Sequence, residues 1–212
     1  MPHPFDQSRY QVRFERGAEG LDRLAPADVV VVVDVLRFST TVTDATASGA
    51  SFALDDAAHA VSINGAAVAA HAAASGAVVL LGCLRNAAAV ADAILAEQHR
   101  RAARTSIAVI SAGELDSRGD GAGLRVAVED DLGAGAVIDA LADRGIDHTS
   151  PEAAAVCEAL RGLRPAVRHL LTAAGSGQEL LERGLAEEVR AAAEIDATDA
   201  VPVLRDGVFE RY

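Results

Sequence analysis

Apolar and polar positions along this chain follow two periods, and they alternate in blocks. Residues 29–33 are five consecutive valines. A β-branched run of this kind suits a strand covered on both faces of a sheet. Two further short apolar runs, 77–82 and 106–110, read the same way, and 51–54 reads as another core strand stopped by Asp55 and Asp56. Residues 10–14 alternate polar and apolar, as an edge strand does. Between these runs the period lengthens to that of a helix. Helices are predicted from Phe38 or Ser39 to Gly49, over 66–74 ending at Gly76, and over 86–101. A brief helix or loop is expected at 17–24, and a helical turn or two at 57–61. Ser62-Ile63-Asn64-Gly65 reads as a turn. Alternation of strand and helix predicts an α/β fold with three α/β/α layers and a mostly parallel central sheet. The strands at 29–33, 52–54, 78–81 and 107–110 are expected side by side.

The second half carries more helix. Glu129-Asp130-Asp131 opens a helix over 132–141, and Pro151 and Pro165 each start another. Ser176 and Glu179 have the spacing of a capping box. Residues 200–204 and 208–210 read as strand, turn and strand around Asp206-Gly207. One domain over 1–212 is expected, with 150–212 as a candidate small α+β subdomain at the carboxyl terminus.

The valine strand ends in Asp34-Val35-Leu36-Arg37-Phe38-Ser39-Thr40-Thr41. A buried strand thus delivers a carboxylate and an arginine to the carboxyl edge of a sheet, where open α/β proteins bind ligands. A helix starting there offers free N–H groups to an anion, and Arg37 offers a fork for phosphate or carboxylate. The plainer account is that Asp34 caps the helix and Arg37 pairs with it. Asp34, Arg85 and Gly113 each follow a core strand and are expected around one cleft. The long polar loop from Gly113 to Gly123 fits a functional segment.

Composition narrows the classes. Half the residues are hydrophobic but only 3% are aromatic, so Ala, Val, Leu and Ile must build the core. All 19 basic residues are arginine, which excludes Schiff-base and phosphate-loop lysines. A net charge of −12 argues against nucleic acid as a partner. Cys83 and Cys157 have no metal-ligand spacing, and the six histidines show no paired spacing. The amino terminus lacks an apolar signal core, and no window suits a membrane helix. A cytoplasmic protein is expected. The alanine-rich helices leave small-residue surfaces that suit a homo-oligomer, with a dimer expected.

Five stretches, in order, resemble the 2-phosphosulfolactate phosphatases of coenzyme M biosynthesis and their bacterial relatives. They are Val33-Asp34-Val35-Leu36-Arg37-Phe38-Ser39-Thr40-Thr41-Val42, Ser62-Ile63-Asn64-Gly65-Ala66, Gly82-Cys83-Leu84-Arg85-Asn86-Ala87, Val128-Glu129-Asp130-Asp131-Leu132-Gly133-Ala134-Gly135, and Ser176-Gly177-Gln178-Glu179-Leu180 with Ala200-Val201-Pro202-Val203 downstream. Relative to the family pattern, a segment is missing between Phe52 and Asn64, and Ile63 and Ala66 stand where hydroxyl residues are usual.

The resemblance implies Mg²⁺-dependent hydrolysis of a small phosphorylated anion, with 2-phosphosulfolactate as the family substrate. It implies Asp34, Arg37, Arg85 and Glu129 as catalytic residues. Ser39, Thr40, Thr41, Asn64, Gly65, Asn86 and Gly113 would bind substrate. Asp34, Glu129 and Asp130 are the hard oxygen ligands that Mg²⁺ prefers. Plainer roles stand beside these: a turn for Asn64, and helix caps for Asn86 and Ser176. The alternative function is a non-catalytic, regulatory anion binder that has lost the substrate lid with the missing segment.

Overall fold

The computed structural model describes residues 3–55, 58, 62–115 and 123–212. Its centre is a seven-stranded sheet. In chain order the strands are β1 (Val12–Arg16), β2 (Val29–Val33), β3 (Phe52–Ala53), β4 (Val78–Gly82), β5 (Ile107–Ser111), β8 (Pro202–Arg205) and β9 (Val208–Arg211). A separate two-stranded ribbon joins β6 (Glu114–Leu115) to β7 (Leu124–Arg125). The order across the sheet is β1-β5-β2-β4-β8-β9-β3. The pairs β1–β5, β5–β2 and β2–β4 are parallel, while β8, β9 and β3 add on by antiparallel pairing. Every valine of β2 is buried, as expected of a strand with neighbours on both sides and helices on both faces.

Helices fill both faces, which makes the three layers. On one face Val30 and Val32 pack against Phe38 and Val42 of α2 (Phe38–Ala47), Ala66 and Ala69 of α3 (Ile63–Ala73), and Leu21 of α1 (Gly17–Arg23). On the other, Val29, Val31 and Val33 belong to one core cluster with residues of α4 (Ala87–Arg101), α5 (Val128–Asp143), α6 (Pro151–Leu163), α7 (Val167–Ala173), α8 (Gly175–Glu182) and α9 (Ala186–Ala192). Leaving the sheet, β2 runs into α2 on the first face, and β5 leads towards α5 on the second. Adjacent strands that depart to opposite faces open a crevice at their carboxyl ends, the usual ligand position in such sheets. Among the described residues no helix is long and apolar enough to cross a membrane.

Three expectations are corrected. The strand at 52–54 is not beside the valine strand. It is two residues long, partly exposed, and sits at the far edge, antiparallel to β9. The place next to β4 goes to β8, whose hairpin partner β9 separates it from β3. Asp206 and Gly207 form that hairpin's turn, both at positive φ (49° and 81°), as a two-residue loop between twisted strands requires. Thus the last strands extend the central sheet.

Ser62-Ile63-Asn64-Gly65 is not a turn but the start of α3. The Ser62 hydroxyl accepts the Gly65 N–H at 3.0 Å and caps the helix. The capping box at Ser176 is absent as well, because α8 begins two residues earlier than the box requires, with Ala174 as its cap. The expected helical turn at 57–61 falls on residues of which only Ala58 is described, and 116–122 of the polar loop also lie outside the described residues.

Candidate active site

Asp34 follows the last valine of β2, and the local sequence fixes its position. The Ser39 hydroxyl accepts the Asp34 N–H at 3.0 Å and donates to the Val32 carbonyl at 3.1 Å, which folds the chain sharply into α2. The Thr40 hydroxyl donates to the Val35 carbonyl at 2.8 Å. One carboxylate oxygen of Asp34, Oδ1, accepts the Phe38 N–H at 3.1 Å; the other, Oδ2, accepts the Ser62 hydroxyl at 2.5 Å. Burial pushes the Asp34 carboxyl above its ordinary range, against the pull of hydrogen bonds from Ser62 and from backbone N–H groups of Phe38, Gly65 and Arg37.

Two more acids come from the first turn of α5. Asp34, Glu129 and Asp130 are 4%, 2% and 3% exposed. Asp130 ties the crevice together: Oδ1 accepts the Val35 N–H at 2.7 Å, and Oδ2 accepts the Gly113 N–H at 3.0 Å. It thereby holds the exit of β2 to the exit of β5. Burial first, then the charges of Asp34 and Glu129, raise its carboxyl well above the usual range. Burial also raises Glu129, and the charges of Glu114 and Asp34 add to this, while its own backbone N–H and the Ser176 hydroxyl oppose it. Asp131 points away and makes a two-pronged contact with Arg16 at 3.0 and 2.6 Å. Nearby arginines also take other partners: Arg37 faces Glu188 at 3.6 Å and Arg125 faces Glu114 at 3.8 Å. Among the described residues the three buried carboxylates have no basic ion-pair partner.

These acids face a cavity of about 150 Å³. Of the residues expected at the site, it brings together Asp34, Arg37, Asn64, Gly113, Glu129 and Asp130. It adds Ser62, Glu114, Ser176, Glu179 and Arg183. Asn64 donates to the Gly113 carbonyl at 3.0 Å, which leaves its buried Oδ1 without a partner among the described residues. The Ser176 hydroxyl donates to Glu114 at 3.0 Å rather than capping its helix.

The other expected residues lie elsewhere. Thr40 and Thr41 line a neighbouring cavity. Ser39 is spent on the turn. Gly65 abuts Asp34 from behind α3, where a Cβ would come within 2.3 Å of Oδ2. Arg85 does not line the cavity. Its guanidinium bonds Asp44 at 3.1 Å, the Ala191 carbonyl at 2.8 Å and Glu194 at 3.1 Å, fastening α2 to the end of α9. Asn86 is fully buried, accepting from the Cys83 N–H and donating to the Leu81 and Ala200 carbonyls, so it braces the β4 exit. Three of the first four N–H groups of α2 are engaged: Phe38 N–H bonds Asp34, Ser39 N–H the Asp34 carbonyl, and Thr41 N–H the Arg37 carbonyl.

The sequence profile described as 2-phosphosulpholactate phosphatase matches residues 54–207 of the 212. The chain belongs to the 2-phosphosulpholactate phosphatase family. Asn64, Gly113, Glu129, Asp130, Ser176 and Arg183 lie inside the segment matched to this phosphatase family, while β2 and the Asp34 turn precede it. A comparison with curated proteins returned no match.

The cavity's donor set suits a hard cation. Three buried carboxylates without basic partners repel one another unless a cation sits among them. Among the described residues no three Asp, Glu, His or Cys side chains form a protein-only metal cage. Mg²⁺ does not need one, since it is commonly held by one or two carboxylates with water and phosphate oxygens completing its shell. The donor chemistry would fit Mg²⁺ held by Asp34 and Glu129, while both Asp130 oxygens accept backbone N–H groups across the crevice.

Proposed function

We propose that this chain hydrolyses a small phosphate monoester in the cavity between Asp34 and Glu129, with Mg²⁺ bound there. Family membership supports phosphatase chemistry. The observation that carries the finer reading is the trio Asp34, Glu129 and Asp130, buried and unpaired at the crevice between β2 and β5. When bound, Mg²⁺ supplies positive charge opposite the phosphoryl oxygens and relieves the repulsion among the acids.

The chain's own residues do the rest. Arg37 and Arg183 stand at the cavity and hold phosphoryl oxygens. Asn64, fixed through its amide nitrogen on the Gly113 carbonyl, accepts a hydrogen bond from the attacking water at Oδ1. Water forms the new P–O bond and the ester P–O bond breaks. A carboxylate of the cluster takes the proton that the attacking water loses and passes it to the departing alkoxide oxygen, which leaves as the alcohol.

The test is phosphate release from a panel of phosphate monoesters, 2-phosphosulfolactate included, with Mg²⁺ and with EDTA. Release that requires Mg²⁺ supports the reading. Absence of release from every ester in Mg²⁺ refutes it.

A further inference from the structure

Asp34 is pinned twice, from two different helices. Its Oδ1 accepts the Phe38 N–H of α2 at 3.1 Å, and its Oδ2 accepts the hydroxyl of Ser62, the cap of α3, at 2.5 Å. The Phe38 bond alone would fix one oxygen and leave the carboxylate plane free to turn about it. The Ser62 bond fixes the plane. Its length is that of a charge-assisted O–H···O⁻ bond, about 2.5–2.7 Å.

Ser62 is itself committed. Its oxygen accepts the Gly65 N–H at 3.0 Å, and its single hydrogen goes to Asp34. Its backbone N–H donates to the Ala58 carbonyl at 3.2 Å, and Asn64, two residues on, donates to the Gly113 carbonyl at 3.0 Å. The first turn of α3 thus grips the exits of two strands, β2 through Asp34 and β5 through Gly113. Ser62 lines the acidic cavity beside the carboxylate that it holds. An ionised carboxylate has about four acceptor sites. The Phe38 and Ser62 bonds occupy one on each oxygen and leave each oxygen a further site for a cation.

We propose that Ser62 is a positioning residue for the metal: its hydroxyl sets the Asp34 carboxylate in the orientation that holds Mg²⁺. This rests on the reading above that Mg²⁺ binds at Asp34 and Glu129. Hydrogen bonds that orient a ligating group are commonly worth about 10–100-fold in metal affinity.

The probe is Mg²⁺ alone, titrated into the full chain and into Ser62→Gly, Ser62→Ala and Ser62→Thr. Binding is read by calorimetry and by the rise in melting temperature. Glycine keeps most of the cap preference but has no hydroxyl, so Ser62→Gly separates the bond to Asp34 from the start of α3. Mg²⁺ affinity should weaken about 10–100-fold in Ser62→Gly and Ser62→Ala. It should stay near the parental value in Ser62→Thr, which keeps the hydroxyl. Parental affinity in Ser62→Gly overturns the inference and leaves Ser62 a helix cap only. A loss in Ser62→Thr as large as that in Ser62→Ala also overturns it. A parent that binds no Mg²⁺ overturns the metal site and this inference together, and phosphate release in EDTA would show that the phosphatase chemistry stands without them.

Discussion

Gly65 presses its backbone against the Asp34 carboxylate: a Cβ added there would lie 2.3 Å from Oδ2 and 2.8 Å from the Asp34 Cβ. The start of α3 can approach the end of β2 only because residue 65 has no side chain. This contact places Ser62, the α3 cap, within reach of the same carboxylate.

Gly65→Ala should therefore push α3 and Asp34 apart. Overpacking of this kind costs about 1–3 kcal/mol, so the melting temperature should fall and phosphate release with it. Gly162→Ala is the control. Residue 162 lies in α6 with open space around it, where alanine gains about 0.5–1 kcal/mol of helix preference. Thermal melts and turnover measured on both variants check the prediction.

Arg37 and Arg85 should separate in their effects. Arg37→Ala removes a cation from the cavity and should lower kcat/KM by about 10²–10³-fold with little change in melting temperature. Arg85→Ala cuts the tie between Asp44, the Ala191 carbonyl and Glu194. Asp44 and Glu194 are exposed, so each ion pair contributes about 0–1 kcal/mol, and the part-buried Ala191 carbonyl loses one hydrogen bond worth about 1 kcal/mol. The expected signature is thus lower stability and only a modest loss of turnover. Steady-state kinetics with parallel melts distinguish the two patterns.

The acids make a pH prediction for the metal-free protein. Burial raises the Glu129 carboxyl above its usual 4.5. The folded state then holds that proton more tightly than the unfolded state does. This contribution to stability is fully present below the unfolded value and is lost as pH rises from about 4.5 through the raised folded value. Glu129→Gln removes the titration. In EDTA the variant should gain on the parent progressively as pH rises through that window, and Mg²⁺ should narrow the gap by stabilising the parent. Denaturant melts at stepped pH check this; a gap independent of pH would contradict it.

Much of this site was legible because its signals are local. Five valines ending in Asp34 announce a buried strand and a carboxylate at its tip, and Glu129-Asp130 marks the first turn of α5. What failed depended on distant partners. Arg85 follows a core strand as Asp34 does, but Asp44, Ala191 and Glu194 hold its side chain away from the cavity. Ser62-Ile63-Asn64-Gly65 suits a turn or a capped helix equally, and only the packing of α3 on Asp34 selects the helix. Ser176 has a helix-cap pattern, yet α8 starts early and turns the hydroxyl to Glu114. The two-residue strand β3 carries no local mark of its place beside β9. Glu114 and Arg183 reach the cavity through the β6–β7 ribbon and α8, and nothing adjacent to them in sequence signals it.

The central claim is that the carboxylates at the β2–β5 crevice perform Mg²⁺-dependent phosphate release, and Asp34→Asn tests it most directly. Phosphate release is measured with Mg²⁺ for the parent and the variant, on whichever ester the parent turns over best. The account predicts that the variant loses about 10²–10³-fold or more in kcat, with the protein still folded by circular dichroism. A folded Asp34→Asn protein that releases phosphate at a near-parental rate would contradict the account and place the chemistry elsewhere.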